Sequence, residues 1–167
     1  MAKTLQTDWK LTLTGQYVDS ADLNSQRGVL SLVTEDSLAT GTAVEQANAL
    51  WYDTRTLAAT AENLDLAGGV TDAFGDALTF TKIKKLLIRN NNTTSGQVLI
   101  VGPATASGIT TIWGTVTTSG ETIGANGVMM KANPTAGFAI TSATADLLRL
   151  DAGTCTVVYD IVVIGTV

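Results

Sequence analysis

The sequence predicts an all-β fold: a single antiparallel β-sandwich, jelly-roll-like or barrel-like domain with an N-terminal extension. Three observations predict it. The 167 residues are 45% hydrophobic but only 5% aromatic and 15% charged. The apolar content is therefore mostly Ala, Val, Leu and Ile, set among abundant Thr and Gly, a mixture that favours short strands and turns. Period-two segments recur about every 8–12 residues with Gly, Pro, Asn or Ser between them, giving about ten strands. The last run, Cys155 to Ile164, puts Cys155, Val157, Tyr159, Ile161 and Val163 on one face and Val158, Val162 and Ile164 around Asp160 on the other. It reads as a central strand covered on both sides.

Taken in order, Trp9 to Thr14 (WKLTLT) alternates apolar and polar residues, Val29 to Val33 does so less cleanly, and a polar connection from Asp19 to Gly28 joins them. Residues 1–41 are expected to form a β-rich arm or peripheral hairpin, and residues 42–167 the sandwich domain. Thr42-Ala-Val-Glu45 fits a helix-starting capping box, with Val44, Ala47 and Trp51 at helical spacing behind it, so one short helix or turn is expected there. Trp51 to Leu57 and Asn63 to Leu66 alternate as strands, and Asp72 to Asp76 is a turn. Ile83 falls on the opposite parity to Leu86 and Ile88, which predicts a β-bulge or break near Lys82. Gln97–Val101, Ile109–Thr117, Val128–Lys131, Gly137–Thr141 and Leu147–Leu150 complete the strand set.

Between two of these strands, the stretch IRNNNTTSGQVLIVG (Ile88 to Gly102) holds two overlapping Asn-x-Thr patterns beginning at Asn91 and Asn92. On a secreted chain they would invite a sugar. Met1 to Lys10 lacks an apolar core, and no run approaches the ~20 apolar residues of a membrane helix, so a soluble chain without a membrane partner is expected. The tetrapeptide TTSG occurs at Thr93–Gly96 and again at Thr117–Gly120. With two expected strands between the copies, a meandering sheet brings both turns to one end. Asn91, Asn92, Thr93, Thr94, Thr117 and Thr118 thus form a candidate contact edge, beside the plainer reading of an ordinary hairpin tip.

Much familiar chemistry is not written in this chain. Histidine is absent, which removes Ser-His-Asp and Cys-His catalysis and His-ligated metals. Glu62, Asp65, Asp72 and Asp76 lie close in sequence, but carboxylate catalysis or calcium binding by them is disfavoured because their spacing matches neither pattern. Lys82, Lys84, Lys85 and Arg89 are the one basic cluster. Split between two strand faces in a chain of net charge −5, they read as a solvated edge strand protected from aggregation rather than a nucleic-acid groove. The lone Cys155 reads as a buried, inert thiol. Trp9, Trp51 and Trp113 are taken as scattered aromatic anchors in preference to a sugar-stacking platform. Residues 1–76 carry eleven acids and four bases, net −7, and residues 77–167 four acids and six bases, net +2, a polarity suited to neighbouring copies or partners of opposite charge. No cofactor and no enzymatic activity are expected.

Leu50 to Gly102 (LWYDTRTLAATAENLDLAGGVTDAFGDALTFTKIKKLLIRNNNTTSGQVLIVG), Asn133 to Ile140 (NPTAGFAI) and Thr144 to Thr166 (TADLLRLDAGTCTVVYDIVVIGT) resemble small structural proteins of tailed bacteriophages encoded among head genes, read as capsid decoration or cement proteins. The resemblance implies a non-enzymatic protein that is made in the host cytoplasm and binds the outer surface of the major capsid protein lattice as a homo-oligomer, trimer or dimer. It transfers no functional residue to a position here. A tail, collar or fibre component of the virion, and a carbohydrate-binding β-sandwich module, are the competing expectations.

Overall fold

In a computed structural model describing residues 4–19, 26–114 and 120–167, the chain is built almost wholly of β-strands in several antiparallel sheets, a sandwich-like all-β fold. β1 (Thr7–Asp19) and β2 (Gln26–Thr40) pair in antiparallel register along their whole length, from Thr7 opposite Leu38 to Asp19 opposite Gln26. β3 (Gln46–Ala47) joins the end of β2 in parallel and leads into the body.

The body has two principal sheets. One runs β11 (Val128–Ala132), β8 (Lys82–Asn90), β14 (Thr156–Thr166), β4 (Ala49–Ala58), with β12 (Phe138–Ala139) also on β8. The other runs β10 (Glu121–Ile123), β9 (Leu99–Pro103), β13 (Leu147–Asp151), β5 (Ala61–Asp65). β6 (Ala67–Thr71) and β7 (Ala77–Thr79) form a small ribbon, and α1 (Thr110–Trp113) is a single turn. The inward parity of β14 (Val157, Tyr159, Ile161, Val163) meets Trp51, Leu57, Leu86 and Ile88 from its own sheet and Leu64, Leu99, Val101, Leu148 and Leu150 from the other. These side chains are almost wholly withdrawn from water, at ~25 cal/mol per Å² of apolar surface removed.

Where β4 passes into β5, the edge between the sheets is closed by polar groups. Arg55 Nη2 lies 2.6 Å from Glu62 Oε2, Arg55 Nη1 lies 3.0 Å from Asp53 Oδ2, and the Tyr159 hydroxyl donates to Glu62 Oε1. Burial, and then the neighbouring Glu62 carboxylate, push the Tyr159 phenol well above its ordinary value.

The bulge expected near Lys82 sits at Lys84. Ile164 faces Lys85 but Gly165 faces Ile83, leaving Lys84 as the extra residue. It lets Ile83, Leu86 and Ile88 all point inward and fully buried despite their mismatched parity. Gly165 makes the close approach possible, since a β-carbon there would stand 2.1 Å from the Lys82 carbonyl oxygen.

Of the helix or turn expected after Thr42, the turn forms: Glu45 has φ 56° there, and Ala49 and Trp51 alternate inward on β4 opposite Gly165 and Val163. Two expectations are corrected. The segment expected as a strand at Ile109–Thr117 instead contains α1, while Thr115–Thr117 lie outside the described residues. The lysine strand is not an edge, because β8 lies between β11 and β14 and buries Lys84 and Lys85 to 1% and 4% exposure.

Candidate interaction surface

Alternation along the β1–β2 hairpin assigns one face to Thr7, Trp9, Leu11, Leu13, Gly15 and Tyr17 with their partners Leu38, Asp36, Thr34, Leu32, Leu30 and Gly28. The other face carries Lys10, Thr12, Thr14 and Gln16 with Glu35, Val33, Ser31 and Val29. At the root the apolar face rests on the body: Leu38 is buried and Leu5, Thr7 and Trp9 are half-buried. Beyond Trp9 it is uncovered, with Leu11, Leu13, Leu30 and Leu32 each about half exposed and Tyr17 at 81%. A two-stranded ribbon is marginally stable by itself in water, and one bearing five large apolar side chains on a bare face is a surface built for contact.

The root is held by a compact anchor. Lys85 Nζ lies 2.9 Å from Asp36 Oδ2 and 4.8 Å from the centre of the Trp9 ring, while Trp9 Nε1 donates to Asp36 Oδ2 at 3.3 Å. Lys85 thus contributes an ion pair and a cation–π contact to the same two arm residues. The Lys85 ammonium, and then the Trp9 N–H, hold the Asp36 carboxyl below its ordinary value.

Beside this anchor the outer face of the β11–β8–β14–β4 sheet is apolar. Register places Tyr52, Val162, Leu87 and Met130 in one row across the four strands. The next row, Thr54, Asp160, Arg89 and Val128, is mixed. Asp160 accepts from Thr54 Oγ1 at 2.7 Å, and that hydroxyl, followed by Asn91, lowers its carboxyl below the ordinary range. Tyr52 is 63% exposed and Val128 59%. Trp9, Lys85, Leu86, Leu87, Met130, Val162 and Ile164 enclose a notch of about 140 Å³.

Of the candidate contact edge the structure describes four residues. Asn91 and Asn92 are half-buried at the end of β8, and Thr93 and Thr94 are exposed just beyond; Thr117 and Thr118 lie outside the described residues. The Asn run is bound into the framework. Asn90, fully buried, donates from Nδ2 to the Gln97 and Ile123 carbonyls at 2.9 and 3.1 Å and accepts from the Asn92 N–H at 3.1 Å. Asn92 donates from Nδ2 to the Thr156 carbonyl at 2.8 Å and accepts from the Val158 N–H at 2.7 Å, extending the β8–β14 pairing with its side chain. Trp51 is a core anchor at 6% exposure, Trp113 packs half-buried against the core, and Trp9 anchors the arm. They do not form one platform.

The buried lysines were missed as functional groups by sequence reasoning. Lys84 donates to the Pro134 and Thr135 carbonyls at 3.0 and 2.9 Å. Burial, and then the nearby Lys82 charge, lower its ammonium below the ordinary lysine value. The parity clash at Ile83 was the available signal that one lysine must turn out of register.

No family model matches the chain, and no curated protein or solved structure matches it.

Proposed function

We propose that this is a non-enzymatic virion structural protein of a tailed phage, a head decoration or cement protein that binds the outside of the major capsid protein lattice and stabilises the shell. The observation that carries the reading is the β1–β2 arm, whose apolar face leaves the body uncovered after Trp9. Such a surface suits attachment to other protein surfaces. The sequence resemblance over Leu50–Gly102, Asn133–Ile140 and Thr144–Thr166 supplies the phage context. A sandwich with a self-sufficient core suits this role, since retention on a lattice comes from many modest contacts presented together.

The test is imaging of intact particles that carry the protein, with density expected at regular positions over the shell. Density confined to one vertex or to the tail overturns the reading in favour of a tail, collar or fibre component. A chain lacking residues 1–41 is expected to occupy heads poorly, and undiminished occupancy removes the arm from the attachment.

A further inference from the structure

We infer that copies of this chain exchange arms, the apolar face of one hairpin lying across the outer face of the β11–β8–β14–β4 sheet of a second copy. The inference deepens the cement reading and rests on it for its biological setting, but its physical basis is separate. The contact already exists within one chain: the same hairpin face, through Trp9, sits on this sheet at Lys85 beside Leu87, Met130, Val162 and Ile164. Trp9 sits at Lys85 and Ile164, which share a row with Leu50, and the adjoining row of Tyr52, Val162, Leu87 and Met130 offers an apolar strip to a second hairpin laid alongside.

Size and shape agree with this occupant. The bare face from Leu11 to Tyr17 is ~20 Å long at ~3.3 Å per residue, and four strands at ~4.8 Å spacing present a face roughly 20 Å across. The half-open notch of about 140 Å³ beside Trp9 is of the size that takes a benzene-sized group, so it has room for one leucine side chain. One arm covers on the order of a few hundred Å² per side, short of the ~800 Å² per partner of a stable pair. When every copy gives one arm and receives one, each doubles its contact. That favours a closed dimer or ring over a single lopsided contact.

Placing carboxylates on the two halves of the contact separately tests this in solution, without capsids. Leu13→Asp with Leu32→Asp alters only exposed arm positions, and Tyr52→Asp with Val128→Asp alters only exposed sheet positions. By sedimentation, wild type is expected as a closed oligomer, and each double variant as a monomer with association at least ~30-fold weaker. Their equimolar mixture keeps one intact arm-to-sheet contact per mixed pair, half of the closed set, and is expected to associate more strongly than either variant alone and more weakly than wild type. A wild type that stays monomeric overturns the exchange, as does an arm variant that assembles normally. A sheet variant that assembles normally also overturns it, since arm-to-arm pairing gives that result, and so does a mixture that associates no more strongly than either variant alone. Unchanged circular dichroism and melting of both variants exclude misfolding as the cause. A chain that decorates heads yet sediments as a monomer refutes arm exchange alone, whereas one that assembles but leaves heads bare refutes the cement reading alone.

Discussion

Replacing Asn90 by alanine is expected to cost the sandwich about 3–4 kcal/mol. The side chain is fully buried and makes three hydrogen bonds, to the Gln97 carbonyl, the Ile123 carbonyl and the Asn92 N–H. A neutral hydrogen bond contributes about 1 kcal/mol net, and a buried group left unpaired costs ~1–3 kcal/mol. Three lost bonds with incomplete rescue by water give the estimate. At ~2–4 °C per kcal/mol for a chain of this size, Tm falls by roughly 6–16 °C. Thermal unfolding followed by circular dichroism, with urea midpoints beside it, measures the change. Asn90→Asp retains the shape but turns a carboxylate toward two carbonyl oxygens, so it is expected to be at least as damaging. Thr93→Ala, three residues on and exposed, should stay within about 0.5 kcal/mol of wild type. An Asn90→Ala loss below about 1 kcal/mol refutes the assignment of this motif to the framework.

Three further outcomes follow from titratable groups. Because Asp36 is lowered in the folded state, its pair with Lys85 contributes fully above the unfolded value of ~3.9 and is lost as pH falls through the lowered one. Hydrogen-exchange protection around Trp9 should therefore drop in acid, and at neutral pH in Asp36→Asn; protection unchanged by either contradicts the anchor. Lys84 is lowered instead, so the native state releases this proton before the unfolded chain does. Urea melts should show wild-type stability rising with pH, relative to Lys84→Met, between the lowered value and ~10.4. Tyr159 is raised, so its contribution is complete below pH ~10 and is lost at higher pH. One of the three tyrosines should gain phenolate absorbance only as the folded signal disappears, and ionisation of all three in an intact fold would contradict the Glu62 contact.

Strand parity made most of the all-β architecture legible, because a residue that alternates on a half-buried sheet has few other ways to satisfy its side chain. The last strand shows both the reach and the limit of this: its inward set of Val157, Tyr159, Ile161 and Val163 is the set the alternation selects. Cys155, however, lies half-buried ahead of the strand and Val158, Val162 and Ile164 are only half-buried, so the strand is fully covered on one side and not on both. Local pattern was ambiguous where short apolar spacing fits two periods. Val44, Ala47 and Trp51 suit a helix, but Trp51 gains more by entering the sheet opposite Val163, a choice made by a strand over 100 residues away. At Thr110–Trp113 the β-branched residues suggested a strand, yet Ile109 is fully buried with its N–H on the Leu147 carbonyl and Trp113 packs on the core. The lysines could not be placed from local pattern, since their partners Asp36, Pro134 and Thr135 lie some 50 residues away.

The arm and the body differ in what holds them. The body has two packed sheets and closes its edge with Arg55, Glu62 and Tyr159. Along the arm beyond Trp9 there is a backbone ladder and an exposed ion pair of Lys10 with Glu35 at 3.3 Å, and such surface pairs are worth ~0–1 kcal/mol. Covering the apolar face therefore changes the arm far more than the sandwich. Substitutions at Leu13 or Leu32 can weaken association while leaving the body's melting intact, so adhesion and folding are separately adjustable in this chain. The opposite face is mixed, with Val29 and Val33 exposed among Lys10, Thr12, Thr14, Gln16, Ser31 and Glu35, so the larger apolar strip lies on the Leu11, Leu13, Leu30 and Leu32 side. A lone copy leaves this apolar strip in water, whereas the proposed closed assembly would cover the strip of every copy at once. Loss of a single contact from that closed set leaves the others to restore it, the condition under which modest interfaces give durable retention.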